Sequence, residues 1–195
     1  MEKFYLEKPN LKRKNEIIEY VNELILYHSD INGIELLIKI LNGYSFAQTL
    51  EFCLDMELVE YAKKMGKIPV KTFLLIREND DKIVGAINIR WDPLIKNHAY
   101  IGYGIRPTER RRGYNKINLY LGLKEAKKMN FKTIILNCET CNLGSIKTIE
   151  ALSGHLIKEE IDPFDGLLTR TYCLEVNQTI DQYKHIFEKQ IHHKL

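Results

Sequence analysis

Nowhere does this sequence hold an apolar run that could cross a bilayer: stretches such as Phe73-Leu74-Leu75-Ile76 fall far short of the roughly 18 to 20 residues a span needs. Membrane attachment is therefore not expected. Cysteine is sparse, with 4 residues (Cys53, Cys138, Cys141, Cys173), which excludes the dense disulfide framework of a small secreted domain and predicts reduced thiols. The spacing Cys138-Glu139-Thr140-Cys141 matches a metal knuckle or a redox pair, but no second cysteine pair or spaced histidine pair completes a tetrahedron. His192 and His193 are adjacent and cannot enclose an ion by themselves, so they read as a frayed tail and no metal is expected. A strong charge of one sign is missing too. Lys and Arg number 29 against 26 Asp and Glu, a formal net of +3 that argues against a nucleic-acid partner. The opening MEKFYLEKPN lacks the basic-then-apolar pattern of a secretory leader, giving the expectation of a cytoplasmic protein.

What is present is the composition of an ordinary globular protein, 45% hydrophobic and 28% charged over 195 residues, enough for one domain with a substantial core. Within 1–195, residues 1–69 read as mainly helical after a short strand at Lys3 to Leu6. Ile17, Val21, Leu24 and Ile25 recur at helical spacing, and a second helical region runs from Phe46 to Lys64, with a short helix between them. From Lys71 the period changes. KTFLLIREND and KIVGAINIRWD form a hairpin over a polar turn, and AYIGYGI at 99–105 is a further strand, whose Gly102 and Gly104 predict a bulge or a close ligand approach. A helix over Tyr114 to Met129, the strand FKTIILNC, a helix at Leu143 to Leu152 and strands at His155 to Ile161 and Leu167 to Val176 follow. A helical tail occupies 177–195. Strand, basic glycine turn, helix and strand make a right-handed crossover, so the fold class is α/β (α+β), a mixed central sheet of six to seven strands flanked by helices.

The stretch RPTERRRGYN at 106–115 carries the most chemistry. A glycine before a helix lets the backbone approach a ligand, and the unpaired N–H groups of the first turn hold a partial positive charge, which together make an anion site. Arg110, Arg111 and Arg112 add guanidinium donors that suit phosphate oxygens. The same run also reads as a solvated basic face, or as a nucleic-acid patch that the near-neutral net charge disfavours.

The order hydrophobic strand, Arg106-Pro107, then Arg110-x-x-Gly113-x-Asn115, then helix resembles the acyl-CoA pyrophosphate loop of the GNAT superfamily of N-acyltransferases, Q/R-x-x-G-x-G/A, with Asn115 where Gly or Ala is usual. Asn142-Leu143-Gly144-Ser145, followed by Ile149 and Gly154, is similar to that family's N-x-x-A/S-x-x-x-Y-x-x-x-G-F segment. Ile149 stands at the Tyr position, the glycine comes one residue late, and His155 replaces the aromatic. The stretches NIRWDP, YIGYGIRPTERRRGYN and CETCNLGSIKTIEALSG look like a bacterial subgroup with small, mostly unassigned substrates.

The resemblance covers residues 70–176, the acyl-CoA-binding core, and is compatible with 1–69 as the acceptor-side half. It implies a sheet splayed at the acyl-CoA site, and an acetyl-CoA-dependent enzyme acting on an amine of a small molecule or peptide. Tyr103, Gly104, Ile105 and Arg106 would then meet pantetheine, Arg110, Arg111, Arg112, Gly113, Tyr114 and Asn115 the diphosphate, and Asn142 and Ser145 the arm near the thioester. With Ile149 in place of the usual acid, Tyr103, Glu139 and Asp92 are the catalytic candidates by position, each with a bland alternative as packing, solvated charge and turn residue. Cys138 has no histidine placed to activate it, so direct transfer to the amine is the simpler route. The departures at Ile149 and Asn115 raise the alternative of a catalytically degenerate CoA-binding sensor. Oligomeric state stays open, a homodimer included.

Overall fold

A computed structural model describes residues 1–192 apart from residue 164; His193 lies outside the described residues. Seven strands, β1 (Phe4–Glu7), β2 (Val70–Arg77), β3 (Lys82–Arg90), β4 (His98–Ile105), β5 (Thr133–Glu139), β6 (His155–Ile161) and β7 (Leu168–Glu175), form one sheet in the order β1-β2-β3-β4-β5-β7-β6. The helices are α1 (Lys14–Leu26), α2 (Phe46–Asp55), α3 (Val59–Lys64), α4 (Tyr114–Lys128), α5 (Leu143–Glu150) and α6 (Val176–Phe187). All neighbouring strands are antiparallel except β4 and β5, which the α4 crossover joins in parallel.

Strand β2 shows why FLLI has no polar face. Phe73 and Leu75 pack into the cluster under α4 and α6, while Leu74 and Ile76 pack into the cluster under α1 and α2. A strand covered on both faces is apolar at successive positions rather than alternate ones. Ser45 and Gln48 form a capping box that starts α2. The single helical region expected over Phe46 to Lys64 is instead two helices. The carbonyl of Met56, fully buried, accepts from Val70 N–H at 2.9 Å, so the chain is drawn to the edge of β2, and Leu58 is extended before α3 begins. The short helix between them is a 3-10 turn over Leu37–Asn42, closed by Gly43 at φ 83°.

Two further expectations need correction. Strand β4 has no bulge, since its register with β3 is unbroken from Ile105↔Gly85 to Tyr100↔Arg90. Its glycines serve close packing: a Cβ on Gly104 would stand 2.9 Å from the Asn32 carbonyl oxygen, and one on Gly102 3.3 Å from Glu35 Oε1. The chain between α1 and the 3-10 turn lies directly on them. The tail at His192 is docked, not frayed. Ile191 bridges to Phe4, and His192 donates its backbone N–H to the Phe4 carbonyl and sits 2.6 Å from Glu78 through Nδ1.

Candidate functional site

β4 and β5 pair only over His98–Tyr100 and Thr133–Ile135. Beyond that point β4 follows β3 as far as Ile105, and β5 follows β7 as far as Glu139, paired with Thr169. The two parallel strands therefore fork. From Ile101 onward the edge of β4 facing β5 has no strand ladder, which leaves backbone donors and acceptors for an extended ligand. The fork opens a cleft of about 1330 Å3, lined by Ile101 to Ile105, Leu136 to Glu139, the turn before α4, the start of α5 and the loop Tyr27 to Asn32. Its size exceeds the roughly 300–1,000 Å3 of an ordinary single-ligand pocket.

At one end of the cleft the chain leaves β4 through a 3-10 turn at Pro107–Glu109 and enters α4 after Arg111 (φ 65°) and Gly113 (φ 79°). No side chain caps α4 and its first turn holds no acid, so the amides of Tyr114 and Asn115 and the partial positive charge of the helix start are left for a ligand, while Lys116 N–H donates to the Gly113 carbonyl at 3.2 Å. Nothing lies within 4 Å of a Cβ built on Gly113, so glycine is needed there for its left-handed backbone rather than for space. Asn115 lines the cleft with a buried Oδ1 that has no partner, an acceptor left for a donor on a ligand.

The basic run divides into free and committed members. Arg110 and Arg111 line the cleft, Arg110 donating from Nε to the Ile105 carbonyl at 3.1 Å. Arg112, outside the cleft lining, pairs with Glu109 3.4 Å away, and Arg106 is buried in an ion pair with Glu23. Glu23 also accepts from the backbone N–H and the hydroxyl of Thr108, at 2.8 Å each, so α1 is bolted to the turn. Burial pushes the Glu23 carboxyl up, but these donors outweigh it and hold the group below the usual carboxylate range. Glu109, 3% exposed, is neutralised by Arg77 and Lys82 at 2.7 Å each, and the same balance keeps it low. Tyr114 offers the cleft its backbone; its hydroxyl, buried beside Phe4, takes a hydrogen bond from Arg77 and donates to Glu2.

At the fork itself the Tyr103 hydroxyl lies 2.9 Å from Ser145 Oγ. Burial pushes the Tyr103 phenol far above its ordinary value, so it keeps its proton. Asn142 caps α5 by accepting from Ser145 N–H, which fixes Ser145 at the wall of the cleft. Ile149 is fully buried beneath Gly154 and presents no hydroxyl. Cys138 lines the cleft, but burial raises its thiol, which opposes nucleophilic use. Glu139 is on the same wall, accepting from the Cys141 thiol at 3.2 Å. Asp92 lies outside the cleft lining, where its Oδ1 accepts from Leu94 N–H at 2.8 Å; the turn role is the one its geometry serves. Arg90, the loop Tyr27 to Asn32 and the Glu23 anchor have no signal in the spacing of the sequence, and the fold alone brings them to the site.

Among the described residues no group of His, Cys, Asp and Glu is placed to hold a metal ion, and no helix is long and apolar enough to cross a membrane. Residues 43–154 match the model of the acetyltransferase (GNAT) family. No curated protein matches the sequence. Among solved structures the chain is similar to an acetyltransferase of the GNAT family from Bacillus anthracis, with 18% identity over 91% of this chain and 99% of that one and a TM-score of 0.60. It is also similar to RimL, a ribosomal-protein alpha-N-protein acetyltransferase in complex with coenzyme A (13% identity, 89% and 94% covered, TM-score 0.67). A third likeness is to the spermidine N-acetyltransferase of Vibrio cholerae in complex with CoA and spermine (11% identity, 91% and 98% covered, TM-score 0.65).

Proposed function

The chain belongs to the acetyltransferase (GNAT) family, and on that premise we propose that it carries an acetyl group from acetyl-CoA directly to an amine of a small molecule or peptide. The observation that carries this reading is the fork: an unladdered β4 edge runs from the Tyr103–Ser145 pair to an uncapped helix start flanked by Arg110 and Arg111. Those features suit a thioester, a pantetheine arm and a diphosphate in that order. The solved neighbours include proteins bound to CoA, one of them also to spermine. Acetyl-CoA, when bound, supplies the activated acyl group; the rest of the chemistry falls to this chain.

Arg110, Arg111 and the amides after Gly113 hold the diphosphate, and Ile101 to Ile105 align the arm. Tyr103, protonated and oriented by Ser145, holds a proton at its hydroxyl for the departing sulfur, taking the part that Ile149 cannot play. An amine with a pKa near 10.4 is neutral in fewer than about one part in a thousand at pH 7, so a base is needed. Glu139 is the carboxylate on that wall, acting directly or through water. The loop Tyr27 to Asn32 bounds the acceptor side, in keeping with residues 1–69 as the acceptor half of one unit. The edge strand β6, exposed along its whole length, is the surface a homodimer would use.

The test is CoA thiol release over a panel of amines together with thermal stabilisation by acetyl-CoA. Release with at least one amine is expected; no stabilisation at millimolar acetyl-CoA rejects the reading. Stabilisation without release under any amine instead supports the second reading, a CoA-binding sensor, which the buried Ile149 favours.

A further inference from the structure

The protein has eight arginines, and among the described residues five of them are in ion pairs: Arg13, Arg77, Arg106, Arg112 and Arg170. The three without one, Arg90, Arg110 and Arg111, all line the cleft. Arg110 and Arg111 stand at the uncapped start of α4, where a diphosphate accounts for them. Arg90 does not share that position. It ends β3 opposite Tyr100, the last β4 residue that pairs with β5, so it sits at the vertex of the fork. From Tyr100 to Ile105 the strand runs five residues, about 17 Å at the usual rise. A diphosphate held by the turn cannot also reach Arg90.

The Arg90 side chain is half-buried, and its Nε is buried with no hydrogen-bond partner. A guanidinium N–H shut away from water without an acceptor is costly, and at the wall of a cleft an acceptor on a ligand can complete it. Neighbouring groups do not complete it. A Cβ on Gly102 would lie 3.5 Å from Arg90 Nη2, 3.1 Å from Asn88 Oδ1 and 3.3 Å from Glu35 Oε1, so these polar groups surround the same glycine. Yet Glu35 is engaged by the Asn88 amide, Asn88 Oδ1 accepts from Gly102 N–H, and neither forms an ion pair or hydrogen bond with Arg90. Glycine at 102 leaves just the room these three groups need to gather there.

We infer that Arg90 is a specificity-determining residue that binds an acidic group, carboxylate or phosphate, on the acceptor, so that the preferred acceptor is an amine carrying its own anion rather than a polyamine. A planar guanidinium with its fork free matches either anion through two parallel hydrogen bonds. Glu35 beside it keeps the local charge near balance, which suits a zwitterion over a polyanion, and Asp30 and Glu139 on the cleft walls can face the ammonium end. This inference rests on the acyl-transfer reading for its reaction, but its binding claim can be measured without turnover.

At saturating acetyl-CoA, thiol release is compared for glycine against glycinamide, phosphoethanolamine against ethanolamine, and spermidine alone. The expected result is that the acidic member of at least one pair is favoured by about tenfold or more in kcat/KM, and that Arg90→Gln brings the pair to near parity with the KM for acetyl-CoA unchanged. Arg90→Lys, which keeps charge but loses the fork, should fall between. The glycine and phosphoethanolamine arms separate a carboxylate from a phosphate. Should no amine be acetylated, the acyl-transfer reading fails by itself. The anion site is then read from thermal stabilisation of the CoA-saturated protein by glycine and by phosphoethanolamine, expected in the wild type and lost in Arg90→Gln. Preference for spermidine or the neutral amines, a preference that survives Arg90→Gln, or stabilisation equal in both proteins overturns the inference.

Discussion

The hydroxyls of Tyr103 and Ser145 lie 2.9 Å apart across the fork, one from β4 and one from the first turn of α5. A phenol that burial keeps protonated is a proton donor and not a base, so its loss should slow departure of the thiolate. Tyr103→Phe, which keeps the ring, is expected to lower kcat by about a hundredfold with little change in the KM for acetyl-CoA. Ser145→Ala should cost less, since it removes the orienting partner only. Steady-state kinetics of both variants check this; an unchanged kcat in Tyr103→Phe would reassign the proton donor.

Arginines in one run should differ sharply in their effect on cofactor affinity. Arg111→Ala removes a cleft-lining guanidinium and should raise the KM for acetyl-CoA about tenfold or more. Arg112→Ala, whose partner is Glu109 and which lies off the cleft, should leave it within about twofold. Gly113→Glu places a carboxylate and a strained left-handed residue at the position proposed for the diphosphate, and should abolish stabilisation by acetyl-CoA. Steady-state kinetics give the two KM values, and thermal shifts with and without acetyl-CoA compare all three variants.

Packing of the loop over β4 should fail when Gly104 gains a methyl group. The new Cβ would meet the Asn32 carbonyl oxygen at 2.9 Å, backbone against backbone, so the loop must move. Gly104→Ala is expected to cost about 1–3 kcal/mol in urea denaturation. Because Asn32 and its neighbours line the cleft on the side proposed for the acceptor, the KM for the amine should rise more than that for acetyl-CoA.

The Glu23 anchor gives a pH dependence with a fixed sign. Its folded pKa is held below the unfolded value of about 4.3, so its stabilisation is complete above that value and lost as the pH falls through the lowered one. Between the two, the unfolded chain binds the extra proton and stability falls with pH. Urea midpoints taken from about pH 6 down to about pH 3.5 should therefore drop less steeply in Glu23→Gln than in the wild type. Equal slopes would mean that Glu23 titrates alike in both states.

Much of this protein was determined by its sequence alone because the forces involved act within a few residues. The switch from helical to strand patterning at Lys71, the glycine before α4 and the Asn142 cap each express a local preference, and the strand–turn–helix–strand unit follows from them. Partnership was decided only by the tertiary structure. Arg106 and Arg110 look alike in RPTERRRGYN, but Glu23, 83 residues away, claims the first and leaves the second to the cleft. Tyr103 meets Ser145 across 42 residues, the glycines of β4 answer to a loop rather than to a bulge, and Arg90 gains its place only where β4 and β5 part. Spacing records which groups share a face; which charge finds a partner and which is left to a ligand depends on packing between distant segments, and that is settled only when the sheet is assembled.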